Sequence, residues 1–190
     1  MFVALLATWS ATPASAWILT INPGSRAVYL QVGNGTSSGN NSTINVVSVS
    51  VPANAVGSGA AQQMTSDSTA ANSFYDGYNV CNPPAQVYVG GYFRQPSTTT
   101  TSAVLQVTSP ASLQNGTSVI PFTQISWTST ANGNPAADIP AGTFSGGTQV
   151  LTSIASNTWV ENCHQFSYLN NAVVAAGTYT GRVTYTLTAP

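Results

Sequence analysis

The stretch that indicates the fold most clearly is TYTGRVTYTLT, residues 178–188. Apolar side chains at Tyr179, Val183, Tyr185 and Leu187 alternate there with polar side chains, most of them threonines. Successive side chains of a β-strand point to opposite faces, so this period of two predicts a strand with one buried face and one threonine-lined face. As the last predicted strand, it is expected either to be capped within its own sheet or to be available to a partner.

The same period of two recurs along most of the chain, carried by Val, Ile, Thr, Tyr and Phe, and no segment has a convincing helical period. Further strands are predicted at residues 17–21, 27–32, 44–51, 86–90, 103–108, 118–129, 149–153, 158–161 and 163–168. Asn115-Gly116 predicts the tip of a hairpin, and residues 60–64 predict one helical turn. Short strands separated by Gly, Pro and Asn predict an all-β fold, an antiparallel β-sandwich.

Charge is scarce in this chain. Only 4% of its 190 residues are charged, against about 25% in an average soluble protein. Three arginines without any lysine cannot form a basic surface for phosphate backbones, which excludes nucleic-acid binding. Four carboxylates, one histidine and two cysteines, at no diagnostic spacing, predict no catalytic residues, no metal site and no cofactor. We therefore expect a protein that is not an enzyme.

The first sixteen residues resemble a processing segment. An apolar run at residues 1–7 precedes Ala14-Ser15-Ala16, which has the small-x-small form that a signal peptidase cleaves. The run is shorter than the roughly 18 residues that span a bilayer. We therefore expect a signal peptide at residues 1–16 and a single exported β-sandwich domain at residues 17–190, the alternative being a buried N-terminal strand.

The two cysteines, Cys81 and Cys163, lie far apart and outside any C-x-x-C pattern. In an oxidising compartment they are expected to form a structural disulfide. The alternative is a nucleophilic Cys163 assisted by its neighbour His164. It is disfavoured because adjacent residues of a strand face opposite sides of the sheet.

The long connection at residues 52–78 is a candidate for a functional segment. Tyr75 and Tyr78, which flank Asp76 near its end, are the candidate ligand contacts. The alternative is that Phe74 and Tyr75 simply cover the edge of the core.

An exported chain of this size, with one expected disulfide, sparse charge and a Thr-, Ser- and Asn-rich all-β pattern, resembles a bacterial fimbrial (pilus) subunit of the chaperone–usher type. The closing segment AGTYTGRVTYTLT, residues 176–188, is similar to the terminal strand of such subunits. The resemblance implies an immunoglobulin-like sandwich that is incomplete and is completed by a donor strand from a neighbouring subunit.

The resemblance also implies partners and sites. The partners are a periplasmic chaperone, an outer-membrane usher and other fimbrial subunits, in a homo- or hetero-polymer on the bacterial cell surface. The strand-pairing residues it implies in the terminal strand are Val183, Tyr185 and Leu187. Those it implies in a donor segment are Trp17, Leu19 and Ile21.

A second hypothesis is a secreted adhesin or carbohydrate-binding β-sandwich that recognises a glycan or a host surface. Aromatic side chains would then stack on the sugar. The candidates for stacking are Tyr75, Tyr78, Tyr92, Phe93 and Trp159.

Overall fold

The regular secondary structure is almost entirely antiparallel β, seen in a computed structural model that describes residues 19–35, 43–96, 101–130 and 136–190. The strands of these ranges are β1 (Leu19–Thr20), β2 (Ala27–Val32), β3 (Val47–Ser48), β4 (Gln62–Gln63), β5 (Thr65–Ser66), β6 (Val87–Arg94), β7 (Ser102–Thr108), β8 (Ser112–Asn115), β9 (Ser118–Pro121), β10 (Ile125–Ser129), β11 (Gly142–Thr143), β12 (Thr148–Ala155), β13 (Thr158–Tyr168) and β14 (Thr184–Thr188). Short 3₁₀ turns lie at Ala53–Ala55 and Phe122–Gln124. The predicted all-β fold is confirmed.

The larger sheet is organised around β13, which has 11 residues. Its strand order is β11-β10-β13-β6-β2, and β1 and β4 pair with the two ends of β13. Thr158 to Cys163 pair with β6, whereas His164 to Tyr168 pair with β10 on the other side. One long strand therefore aligns four others.

The smaller sheet has the order β12-β7-β14 and packs against one face of the larger sheet. The alternation of buried and polar residues in β7 follows directly from the strand period, with Ala103, Leu105 and Val107 buried. The core between the sheets joins these to buried side chains of the larger sheet, namely Val87, Val89, Ile125, Trp127, Phe166 and Tyr168. The molecule is an antiparallel sandwich, as predicted.

A second, smaller apolar cluster lies on the opposite face of the larger sheet. Tyr29, Tyr88, Trp159 and the two cysteines form it. The chain between β5 and β6 covers this face, since Phe74 and Tyr75 contact the ring of Trp159. The larger sheet is thus covered on both sides.

The predicted strand at residues 118–129 is wrong as a single element. It is divided into β9, the 3₁₀ turn at Phe122–Gln124 and β10, and only β10 joins the larger sheet. Pro121 has no N–H to donate to a ladder, so the strand ends there, and the buried Phe122 turns into the core.

The predicted strand at residues 178–188 is too long, because regular pairing covers only Thr184–Thr188. Upstream of it, Thr180 forms an isolated bridge with Gln114. Gly181 packs so tightly that a Cβ atom there would lie 2.8 Å from Cε2 of Phe122. The bridge of Thr180 to β8 and the tight packing of Gly181 therefore interrupt the strand that the alternation predicts.

The hairpin predicted at Asn115-Gly116 is confirmed, with its tip displaced by one residue. Asn115 pairs with Ser118, so that the two-residue loop is Gly116-Thr117. Gly116 has φ of +58°, a left-handed conformation that glycine adopts without steric cost.

Three other local predictions are corrected. The helical turn predicted at residues 60–64 is wrong, since Gln62 and Gln63 pair with β13 as β4. Only Val47–Ser48 of residues 44–51 forms a strand, because this segment lies as a short ribbon with β5 rather than in either main sheet. The separate strands predicted at 158–161 and 163–168 are one continuous strand, β13.

Candidate functional site

The disulfide predicted between Cys81 and Cys163 is present, with its Cα atoms 5.5 Å apart. Both cysteines are buried, and Cys163 lies on the outer face of β13. His164, the next residue, contacts Trp127 and Phe166 on the core side. The two side chains therefore lie on opposite faces of β13, and the sulfur that the nucleophile hypothesis requires is in the disulfide.

Residues 73–78 form a tight turn, here called the aromatic turn, next to the disulfide. The Ser73 N–H donates to the carbonyl of Tyr78 at 2.7 Å, and the Gly77 N–H donates to the carbonyl of Ser73 at 3.0 Å. The Asp76 carboxylate accepts from the Tyr78 N–H at 3.0 Å. Gly77, with φ of +77°, supplies the left-handed residue that the turn requires.

The predicted ligand contacts Tyr75 and Tyr78 both lie in the aromatic turn. Tyr75 is 43% exposed and Tyr78 is 74% exposed, and their neighbour Phe74 is 58% exposed. Phe74 and Tyr75 also cover the buried Trp159, with ring centroids 6.3 Å and 5.7 Å from it. These two residues therefore combine surface exposure with the covering role that the alternative assigned to them.

Beneath the aromatic turn lies a row of aromatic side chains on three adjacent strands. Tyr29 of β2 pairs with Tyr92 of β6, which pairs in turn with Trp159 of β13. The ring of Phe74 lies on Tyr29 at 4.6 Å, and Trp159 lies 5.3 Å from the same ring. Trp159 is 3% exposed, and its indole Nε1 has no hydrogen-bond partner among the described residues.

Two of the aromatic residues predicted to stack on a sugar are not accessible. Phe93 is fully buried, because it follows Tyr92 on β6 and so faces the core side. Trp159 lies beneath Phe74 and Tyr75. Only Tyr75, Tyr78 and the half-buried Tyr92 of that set reach the surface.

Tyr88 holds the aromatic turn from below. Its hydroxyl donates to Glu161 Oε2 at 2.7 Å, and the backbone of Phe74 hydrogen-bonds to the same tyrosine. Burial and the nearby Glu161 carboxylate raise the pKa of Tyr88 far above its ordinary value. The residue therefore stays neutral and keeps both contacts at any physiological pH.

The strand-pairing residues predicted near the C-terminus lie against the core. Val183, Tyr185 and Leu187 are half-buried, whereas the threonines that follow each of them are exposed. The predicted alternation is therefore confirmed. The strand itself, β14, pairs with β7 on one side. Cα atoms of β14 also lie within 8 Å of Cα atoms of β2, which is the last strand of the larger sheet.

The residues predicted to form a donor segment are only partly described. Trp17 lies outside the described residues, as does the predicted signal peptide. Leu19 pairs with Trp159 of β13, and the Ile21 N–H donates to the carbonyl of Asn157 at 2.9 Å. Leu19 thus belongs to the larger sheet of its own chain, and Ile21 is hydrogen-bonded to the residue that precedes β13.

The ionisable groups are spread over the molecule. In the described part of the chain, no three side chains of His, Cys, Asp or Glu lie close enough to hold a metal ion. Hydrogen bonds from Asn45 and the Val46 N–H lower the pKa of Asp67, where the carboxylate ties two loops together. Burial lowers the pKa of His164 to about 3.

Sequence reasoning missed Phe74 as a surface residue and missed the aromatic row beneath it. Tyr29, Tyr92 and Trp159 are more than sixty residues apart in the chain and become neighbours only through the strand register. The sequence offers only a weak signal for this row, namely one aromatic residue at an outward position of each of the three strands.

Comparison of the chain with protein-family models, with curated proteins and with solved structures returned no match. Within the described ranges, no helix has the length and apolar character needed to cross a bilayer. The functional inferences below therefore rest on the residues and their geometry.

Proposed function

We propose that this chain is a structural subunit of a bacterial surface fimbria, exported from the cell and assembled by β-strand addition, without catalytic activity. The observation that carries the proposal is the proximity of β2 and β14, here called the edge pair, whose Cα atoms approach within 8 Å. Each strand is the last of its sheet, and no ladder joins the two within the described ranges. Two such edges are suited to receive a strand from another polypeptide.

The side chains along the edge pair support the same function. Val28 lies on the core-facing side of β2, since Tyr29 faces the opposite cluster, yet 42% of Val28 is exposed. Leu30 of β2 and Leu187 of β14 both approach Gly91, where a Cβ atom would lie 3.6 Å and 3.5 Å from them. An added strand would cover the apolar residue that the chain itself leaves open.

Low charge favours assembly. The formal net charge of the chain is −1, and the outer face of β14 presents threonines only. Packed copies therefore repel one another weakly, which promotes association. The chaperone and usher that the resemblance implies would hold the edge pair until a neighbouring subunit occupies it.

The test is self-association of the purified chain, measured by light scattering and electron microscopy, with one variant in the edge pair and one outside it. Val28→Lys places a charge beside the expected added strand and should abolish polymers. Val150→Lys changes an exposed valine on the outer face of β12 and should leave them unchanged. A wild-type chain that stays monomeric, or polymers that survive Val28→Lys, would contradict the proposal.

A further inference from the structure

The aromatic turn holds all the exposed large aromatic side chains of the described residues, namely Phe74, Tyr75 and Tyr78. Exposed aromatic side chains are costly in water, and covering Trp159 accounts for Phe74 and Tyr75 but not for Tyr78. Tyr78 in particular is 74% exposed and forms none of the ring contacts that Phe74 and Tyr75 make. The turn therefore presents ring surface outward.

The rings are held on a rigid base. The disulfide fixes Cys81 to β13, and the N–H groups of Val80 and Cys81 both donate to the carbonyl of Ala71 at 2.9 Å. Asn72 and Asn79 close the turn as a bridge, with an amide hydrogen bond of 3.3 Å between their side chains. Because these contacts order the turn in advance, a ligand does not bear the entropic cost of ordering it.

Next to the rings lies a shallow depression with a volume of about 450 Å³. Phe74 forms one wall, and the other lining residues are Gln31, Thr69, Ala70, Ala71 and Asn72. The polar groups in this wall are amides and a hydroxyl, without any charge.

We propose that the aromatic turn and this depression bind a neutral oligosaccharide. Sugar rings have apolar C–H faces that stack on Tyr75 and Tyr78, and hydroxyl groups that hydrogen-bond to uncharged amides such as Gln31 and Asn72. The absence of cationic lining residues disfavours an acidic glycan.

The buried Trp159 supplies a reporter for this site. Its ring centroid lies 6.3 Å from that of Phe74 and 5.7 Å from that of Tyr75, so a shift of these two rings would change the surroundings of the indole. Sugar binding is therefore expected to change tryptophan fluorescence. The site lies on the face of the larger sheet that points away from the smaller sheet, and one of its lining residues, Gln31, belongs to β2 of the edge pair.

The experiment is a titration of the folded chain with soluble hexamers of β-1,4-linked glucose, β-1,4-linked N-acetylglucosamine and α-1,4-linked glucose, followed by fluorescence and by calorimetry. We expect saturable binding of at least one hexamer. Tyr75→Ala and Tyr78→Ala should each weaken it about tenfold, the effect of losing one stacked ring. Val173→Ala, at an exposed apolar residue elsewhere, is the control and should bind like the wild type.

Three results would overturn the inference. The first is no binding of any of the three hexamers at millimolar concentration. The second is binding that the double variant Tyr75→Ala, Tyr78→Ala retains. The third is a change in oligomeric state, measured by light scattering, when Tyr78 is replaced, since that would make the turn a protein contact. Val28→Lys should leave sugar binding intact, which separates this site from the assembly proposal.

Discussion

At the scale of single residues, the most unusual side chain is His164, an imidazole without charge partners in the core. It is fully buried against Trp127, Phe166 and Tyr185, and neither ring nitrogen has a hydrogen-bond partner among the described residues. Burial penalises the charged imidazolium, which lowers the pKa from the ordinary 6.5 to about 3. A buried polar group of this kind costs stability that an apolar side chain would not.

This burial predicts a pH-dependent stability. The unfolded chain binds the proton of His164 below pH 6.5, whereas the folded chain does not until about pH 3, so stability is complete above 6.5 and falls as the pH drops toward 3. The expected loss between about pH 6 and pH 4 is about 2–3 kcal/mol. His164→Leu should flatten the urea-unfolding free energy over that interval.

Asp67 does not obscure this interval. The lowered pKa of Asp67 makes its contribution disappear only as the pH falls below its ordinary 3.8, which lies beneath the window. A wild-type unfolding free energy that is constant from pH 6.5 to pH 4 would contradict the assigned environment of His164.

Gly90 is a second residue whose identity the structure requires. A Cβ atom there would lie 2.6 Å from Cζ of Tyr88, the tyrosine that holds the aromatic turn. Gly90→Ala should therefore destabilise the fold by about 1–3 kcal/mol in urea unfolding. Gly147→Ala, where the nearest atom would be 3.9 Å away, is the matched control and should change stability by less than about 0.5 kcal/mol.

At the scale of elements, β14 shows how far the alternation of a sequence can be used. The period of two correctly separates the half-buried Tyr185 and Leu187 from the exposed Thr184, Thr186 and Thr188. It does not locate the start of the strand, because the contact of Gly181 with Phe122 is a tertiary interaction. Alternation indicates which face of the sheet a side chain lies on, whereas the ends of a strand depend on its tertiary contacts.

The alternation in β14 predicts unequal effects at adjacent positions. Leu187→Ala removes a half-buried side chain that packs near Gly91 and should cost about 1–3 kcal/mol. Thr186→Ala changes the exposed face of the same strand and should cost less than about 0.5 kcal/mol. Equal losses in thermal or urea unfolding would mean that β14 does not pack as described.

At the scale of the whole molecule, the disulfide is the covalent link between the loop that carries the aromatic turn and the centre of the larger sheet. Cys81 and Cys163 are 82 residues apart, and closing so long a loop in the unfolded chain stabilises the fold by about 4 kcal/mol. The variant Cys81→Ala, Cys163→Ala should lower the unfolding free energy by about that amount. Wild-type protein unfolded with reductant present should match it.

The order of loss in that variant is a further expectation. The disulfide anchors the aromatic turn, whereas the core between the two sheets does not depend on it. We therefore expect the sugar-induced change in fluorescence to weaken in this variant under conditions in which far-ultraviolet circular dichroism still reports an intact β-fold. Retention of full sugar affinity in the folded variant would show that Tyr88 and the local hydrogen bonds hold the turn without the covalent link.

The sequence by itself determined the β class, the antiparallel sandwich, the pairing of the only two cysteines and the candidate tyrosines at 75 and 78. These features depend on the local alternation of apolar and polar residues, on composition, and on the fact that two cysteines can pair within the chain in only one way. Only the tertiary structure decided that Tyr29, Tyr92 and Trp159 form one row, that Phe93 is buried and that β2 lies beside β14. Strand register and sheet packing join residues far apart in the chain, and a period of two is identical for every register that differs by two residues.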